Sequence, residues 1–302
     1  MPTPTPPLPA ADPSTRPCGV PQAFDSPRDR ALYRRVPHRA GVELYRAEIV
    51  DHAFAPHAHD AFGIGAVEWG VERFRYRGSE HLAGPGSLVL MDDDELHTGR
   101  ADTALGWRYR MVYVEAPLLA ELSGQPVQRF AQPAVDDPAL GQRVTATLDG
   151  LWACADQPLA FDSLLATLAG ELVRRHGRHG AADTPVAGLA APVLARVCDY
   201  LEAHLHQTLR LDDLAREAGL SPFHFLRRFR QSTGHTPQVY LQARRGARAK
   251  ALLAQGEAPA QVAASVGLVD QSHLNRLLRR LYGITPGAYQ RQLGRVPPRA
   301  GA

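Results

Sequence analysis

Residues 214–237, LAREAGLSPFHFLRRFRQSTGHTP, and residues 262–286, VAASVGLVDQSHLNRLLRRLYGITP, state one pattern twice. Ala215, Gly219, Phe225, Arg227, Phe229, Gly234, Pro237 and Tyr240 of the first stretch are answered in order by Ala263, Gly267, Leu274, Arg276, Leu278, Gly283, Pro286 and Tyr289. The offset is 48 as far as the first glycine and 49 beyond it. Such regularity makes each copy a supersecondary unit of its own, and two copies are too few for a solenoid.

Within each copy the text reads as helix, glycine turn, helix. Gly219 and Gly267 allow the positive φ of a tight turn, and Ala215 and Ala263 let two helices approach closely, which is the helix-turn-helix pattern. Helix ends are marked by capping chemistry. A helix is expected over 193–206, and Asp212 or Asp213 can cap the next, through Ala218. Ser221 before Pro222 starts a helix that stops at Gly234; Pro237 opens a longer one to about Ala254. In the second copy a helix runs from Pro259 to Val266, Asp270 caps the next to Tyr282, Gly283 stops it and Pro286 starts the last.

Phe225 with Phe229, and Leu274 with Leu278, lie four residues apart and face inward, which leaves Phe223, Leu226 and Arg227 on one outward stripe and Gln271, Ser272, Asn275 and Arg276 on the other. Arginine, asparagine and glutamine are the side chains that read guanine and adenine edges in the major groove. An isolated polar stripe is more simply a solvated face. Duplication and charge favour DNA here: residues 192–302 carry 16 Arg and Lys against 7 Asp and Glu, whereas the rest carries 18 against 24. Two linked units can enter successive major grooves about 34 Å apart. Arg228, Arg230, Arg279 and Arg280 are candidates for phosphate contact or for solvation.

The doubled unit, above all GLVDQSHLNRLLRRLYGITPGAY, resembles the signature of the AraC/XylS family of bacterial transcriptional regulators over roughly the last 110 residues. Departures are Leu268, Val269 and Leu278, where the family commonly has Phe, Ser or Asp, and Phe; Val269 removes one usual cap and leaves that role to Asp270. The resemblance implies a promoter-binding regulator, an activator by family habit, with double-stranded DNA, a small-molecule effector and RNA polymerase as partners.

The 302 residues suffice for two domains. The opening MPTPTPPLPAADPSTRPCGVPQ lacks the basic and apolar regions of a signal peptide and reads as a disordered lead over 1–27. No apolar run is long enough to span a bilayer. Three widely spaced cysteines, Cys18, Cys154 and Cys198, fit neither a disulfide framework nor a metal knuckle, so a cytoplasmic setting is expected.

From about 28 to 115, short apolar stretches broken by Gly and Pro read as an antiparallel sandwich or barrel, with a hairpin turn at RGSE. Leu140, Val144, Leu148 and Leu151, then Phe161, Leu164, Leu165, Leu168 and Leu172, recur at helical intervals; the two helices, joined near Pro158, pack on the barrel or pair residues 139–176 across a homodimer. The expected fold is α+β in two domains: an effector-binding domain over 28–178, a linker over 179–191 and an all-α domain with two tandem helix-turn-helix motifs over 192–302.

PHAHDAFGIGAVEWG and GPGSLVLMDDDELHTG resemble the two halves of a cupin-like sensor domain, which implies a barrel whose mouth gathers His57, His59 and His97. Three imidazoles suffice for zinc or non-haem iron. However, Gly63 and Ile64 stand where metal-binding cupins carry glutamate, so no metal, cofactor or catalytic residue is expected, and the histidines are read with Trp69 and Tyr76 as effector-pocket residues. Glu68 and Arg75 lie on the same strands, whose alternation leaves open which side chains point inward. Two other functions fit the residues: a metal-dependent cupin enzyme with an accessory helical domain, and a DNA-bending architectural protein.

Overall fold

A computed structural model describes residues 24–127, 129–178 and 188–294. The lead up to residue 23, Cys18 within it, and most of the expected linker lie outside the described residues. Nine strands come first: β1 (Arg30–Arg35), β2 (Val42–Ile49), β3 (Ala53–His57), β4 (Phe62–Gly70), β5 (Glu72–Tyr76), β6 (Ser79–Ala83), β7 (Ser87–Met91), β8 (His97–Ala101) and β9 (Trp107–Val114). They are followed by α1 (Ala116–Ser123), β10 (Arg129–Phe130), β11 (Ala134–Asp136), α2 (Pro138–Ala153), α3 (Pro158–His176) and β12 (Gly177–Arg178). The remainder is helical: α4 (Ala191–Ala203), α5 (Leu211–Glu217), α6 (Pro222–Thr233), α7 (Pro237–Gln255), α8 (Pro259–Ser265), α9 (Gln271–Tyr282) and α10 (Pro286–Gln292).

Two sheets face each other, one ordered β1-β2-β9-β4-β7-β11 and the other β3-β8-β5-β6. The first is covered on both faces, which is why FGIGAVEWG and SLVLM read as nearly unbroken apolar runs rather than alternating ones. One of its faces, with Leu44, Ile64, Leu90 and Val112, packs under Leu148, Leu165 and Leu172 of α2 and α3. The other, with Tyr45, Trp107, Tyr109 and Met111, fills the barrel against Phe54, Phe74 and Tyr76 of the second sheet. Burying side chains of this size supplies about 1.5–3 kcal/mol each relative to exposure. The second sheet has one wet face: along β5, Glu72, Phe74 and Tyr76 point in while Arg73 and Arg75 point out. The β5–β6 hairpin closes through Arg77 and Gly78, both at positive φ (47° and 81°), as a two-residue turn of matching twist requires.

Two sequence expectations change, and one element is new. Residues 24–27, assigned to the disordered lead, are placed: Phe24 packs edge-on against His52 and Phe54 at ring separations of 5.1 and 6.4 Å. The cap of α5 is Arg210, and Asp213 serves from within the first turn, its carboxylate accepting the Arg210 backbone N–H at 3.2 Å. The helix α1 carries no strong period and has no counterpart in the sequence reading. Among the described residues no helix is long and apolar enough to cross a membrane.

The helical part does not have a single core. The first unit packs on α4 around Leu201, Leu214, Phe225 and Phe229. The second, with Leu274, Leu277, Leu281 and Tyr282, shares one continuous core with the barrel. The helix α7 belongs to both.

Candidate functional site

Each helix-turn-helix is built by its own local chemistry. In the first, Gly219 sits at φ 67° and the Leu220 N–H donates to the Ala215 carbonyl at 2.9 Å; in the second, Gly267 sits at φ 72° and the Leu268 N–H donates to Ala263 at 2.9 Å. The two glycines differ in one respect. A Cβ on Gly219 would meet open space, whereas one on Gly267 would lie 2.7 Å from the Leu205 carbonyl at the end of α4. The helix α9 starts where Asp270 accepts the His273 N–H at 2.6 Å, so Asp270 does supply the cap that Val269 cannot. Both α6 and α9 end on glycines in the left-handed region, Gly234 and Gly283.

With Phe225 and Phe229 fully buried, Phe223, Leu226, Arg227, Arg228 and Arg230 of α6 are exposed, Phe223 with its ring edge-on to His224 at 5.7 Å. On α9, Gln271, Ser272 and Arg276 are exposed and Asn275 is half-buried. Seven side chains singled out from the sequence thus lie on the two outward stripes. The 19 residues of α7 hold the units apart over roughly 28 Å at about 1.5 Å per residue. Arg245 of α7 is buried and donates to the carbonyls of Leu205 (2.9 Å) and Gln207 (2.7 Å), tying α7 to the end of α4.

The second unit is also engaged from the barrel side. The strand β3 lies along α7 and α9. The Tyr282 hydroxyl donates to the Ala58 carbonyl at 2.8 Å, the Tyr33 N–H donates to Gln292 at 3.0 Å, and Arg244 of α7 pairs with Asp94 of the barrel and with Glu202 of α4. Lys250, the chain's only lysine, lies at the centre of this boundary. Its ammonium is 2.5 Å from Glu43 Oε1 and lies over the rings of Tyr33, Tyr113, Tyr282 and Tyr289 at 4.9–5.6 Å. The Tyr289 hydroxyl donates to the second Glu43 oxygen at 2.6 Å. Beside this cage lies a cavity of about 140 Å³ lined from both domains, with Glu43, His59 and Tyr113 on one wall and Ala247, Lys250 and Tyr282 on the other.

The three barrel histidines converge. His57 of β3 stands opposite His97 of β8 in register, with rings 4.3 Å apart; His59 lies 5.1 Å from the first and 5.3 Å from the second. All three are buried. Desolvation drives His57 and His59 well below the usual imidazole value and His97 down to about 4, so the rings are neutral at pH 7. The Nδ1 atoms of His57 and His97 face the carbonyls of Ala55 (2.8 Å) and Glu95 (3.0 Å), while His59 Nδ1 is buried without a partner.

The remaining pocket residues separate. Tyr76 is Cα partner to His97 across β5–β8, yet its hydroxyl is spent on Asp92 at 2.8 Å. Trp69 sits half-buried at the end of β4, beyond the bulge opposite Arg108, and does not join the histidines. Glu68 pairs with Arg110 rather than with anything in the barrel interior. That interior is packed: the void between the sheets, beside His57, His97 and Glu72, holds only about 30 Å³. Sequence reading missed the boundary residues Glu43, Tyr113, Lys250 and Tyr282. The one signal for them was that Lys250 is alone among 33 arginines.

Residues 39–173 match the family described as the AraC-like ligand binding domain, and residues 214–292 match a helix-turn-helix domain. The chain is 29% identical over 243 residues to the uncharacterized HTH-type transcriptional regulator YbfI of Bacillus subtilis, covering 77% of this chain and 86% of that protein. It is 34% identical over 95 residues to the MmsAB operon regulatory protein of Pseudomonas aeruginosa, a stretch that is 31% of each. Its fold is similar to that of ToxT from Vibrio cholerae, whose crystal structure holds an unsaturated fatty acid: the TM-score is 0.55 at 14% identity, over 84% of this chain and 96% of ToxT.

Proposed function

Because the chain belongs to the AraC family of transcriptional regulators, with an AraC-like ligand-binding domain followed by a helix-turn-helix DNA-binding domain, we propose that its effector binds at the boundary between the two domains and sets how the second reading unit is held. The observation that carries this reading is the Lys250 cage. A lone lysine of the DNA-binding domain is paired with a barrel carboxylate and roofed by tyrosines of both domains, at the wall of a cavity that both domains line. At about 140 Å³ the cavity is smaller than the roughly 300–1,000 Å³ of ordinary ligand pockets. A larger effector therefore fits only if the boundary opens, and binding one arrangement better than another is what coupling requires.

In this reading Phe223, Leu226, Arg227, Gln271, Ser272, Asn275 and Arg276 contact bases, with Phe223 and Leu226 against thymine methyl groups. His59 belongs to the effector wall, whereas His57 and His97 lie behind it and Trp69 and Tyr76 do not take part. We assign no catalytic residue. Activation through contact with RNA polymerase, a cytoplasmic location, and a homodimer through the exposed side of α2 and α3 complete the proposal.

The test compares wild type with Lys250→Gln and Glu43→Gln for binding to the selected operator. Opening the boundary should change affinity several-fold in the same direction in both variants; identical affinities, with folding intact, would remove the boundary from regulation.

A further inference from the structure

Three buried histidine rings converge on one small space, with the His59 Nδ1 left without a partner. Carbonyls at 2.8 and 3.0 Å hold Nδ1 of His57 and His97, which fixes the tautomer and leaves Nε2 of each with its lone pair; this is the outer-shell arrangement that orients metal-binding histidines. One nitrogen from each of the three rings lies within 4.8 Å of the others. Among the described residues no other group of three comparable side chains is brought together in this way.

We propose that His57, His59 and His97 bind one divalent first-row transition cation of the zinc type, and that the bound ion fixes the surface on which the second helix-turn-helix unit docks. A cation about 2.1 Å from each nitrogen draws the nitrogens to roughly 3.4 Å from one another, so closure by up to roughly 1.4 Å completes the site. The donor set selects the metal class: three imidazoles and no oxygen ligand suit zinc, iron, nickel or copper and exclude calcium and magnesium, which take oxygen.

A second observation points to an unfilled polar partner beside this cluster. The buried carboxyl of Glu72 lines the same roughly 30 Å³ void as His57 and His97, and its Oε2 has no partner. That void has room for one water, which can fill the fourth position and donate to Glu72. The link to the helical domain is short. Tyr282 of α9 lays its ring 5.3 and 5.7 Å from His57 and His59, and its hydroxyl donates to the carbonyl of Ala58, the residue between them. Drawing His57 and His59 onto an ion therefore fixes the acceptor that anchors α9.

The site is tested without DNA, so it stands or falls apart from the effector reading. Zn²⁺ titrated into the chelator-stripped full chain should bind at one per chain by calorimetry. His57→Gln and His97→Gln should each weaken that binding at least tenfold, whereas His224→Gln on the surface of α6 should not. Co²⁺ loaded into the wild-type chain should give the visible absorption of a nitrogen-liganded ion and lose it to Zn²⁺, a readout that needs no variant to fold. Zn²⁺ should also slow hydrogen exchange along α9. Absence of the cobalt band, or stoichiometric binding indifferent to His57 and His97, would overturn the site; unchanged exchange in α9 would overturn the docking role.

Discussion

Arg227 and Arg276 occupy matching positions of the two copies, and both are exposed on the stripes that face away from their cores. Truncating either to Ala should cost about 1–3 kcal/mol on the preferred operator and relax preference at one base pair, as measured by anisotropy titrations on single-base operator variants. A loss that is uniform across sequences would make the residue a phosphate contact. Glu72 supports a prediction of a different kind. Desolvation raises its pKa to about 8 in the folded, metal-free chain, so the folded state holds its proton more tightly than the unfolded state does. The associated stability is fully present below the ordinary glutamate pKa and is lost as pH rises to about 8. Glu72→Gln should therefore gain on wild type between pH 5 and 8 in thermal melts, and parallel curves would contradict the assignment. These residues were unequally legible. The outward stripes follow from helical spacing, which is local. The Lys250 cage requires Glu43 from 207 positions away and tyrosines from four separate elements, and no local period carries that information.

Helix ends were the most legible elements, because capping is settled within four residues: Ser221, Asp270, Gly234 and Gly283 all serve as their types dictate. The two turn glycines now separate by context. Gly219→Ala should cost about 1 kcal/mol or somewhat more, from positive φ alone, whereas Gly267→Ala should cost clearly more, since it adds a clash with the Leu205 carbonyl. Chemical denaturation of the two variants measures this, and equal losses would contradict it. Asp270→Ala should cost about 0.5–2 kcal/mol through the lost cap. The strands were legible as a class but not by face. Tyr76 and Trp69 looked equivalent in sequence, and only strand register and the bulge in β4 show that one points into the barrel while the other ends outside it.

At the scale of the molecule, the sequence divides into two domains while the cores do not. The first unit closes on α4, but the second completes its core on the barrel through Leu277, Leu281 and Tyr282. Patterning shows that an element has an apolar face; what covers that face is a long-range fact, and this is why the shared core was not legible. A fragment lacking residues 1–178 should still bind DNA, yet melt at lower temperature than the helical domain within the full chain. All of this rests on two linked helix-turn-helix units reading DNA together. Unbiased selection of duplex oligonucleotides by the full-length protein at moderate salt tests that most directly. The account predicts two short motifs spaced about 10–10.5 base pairs apart, one relaxed at a single position by Arg227→Ala and the other by Arg276→Ala. Recovery of no enriched sequence, or of a single motif indifferent to both substitutions, would contradict it.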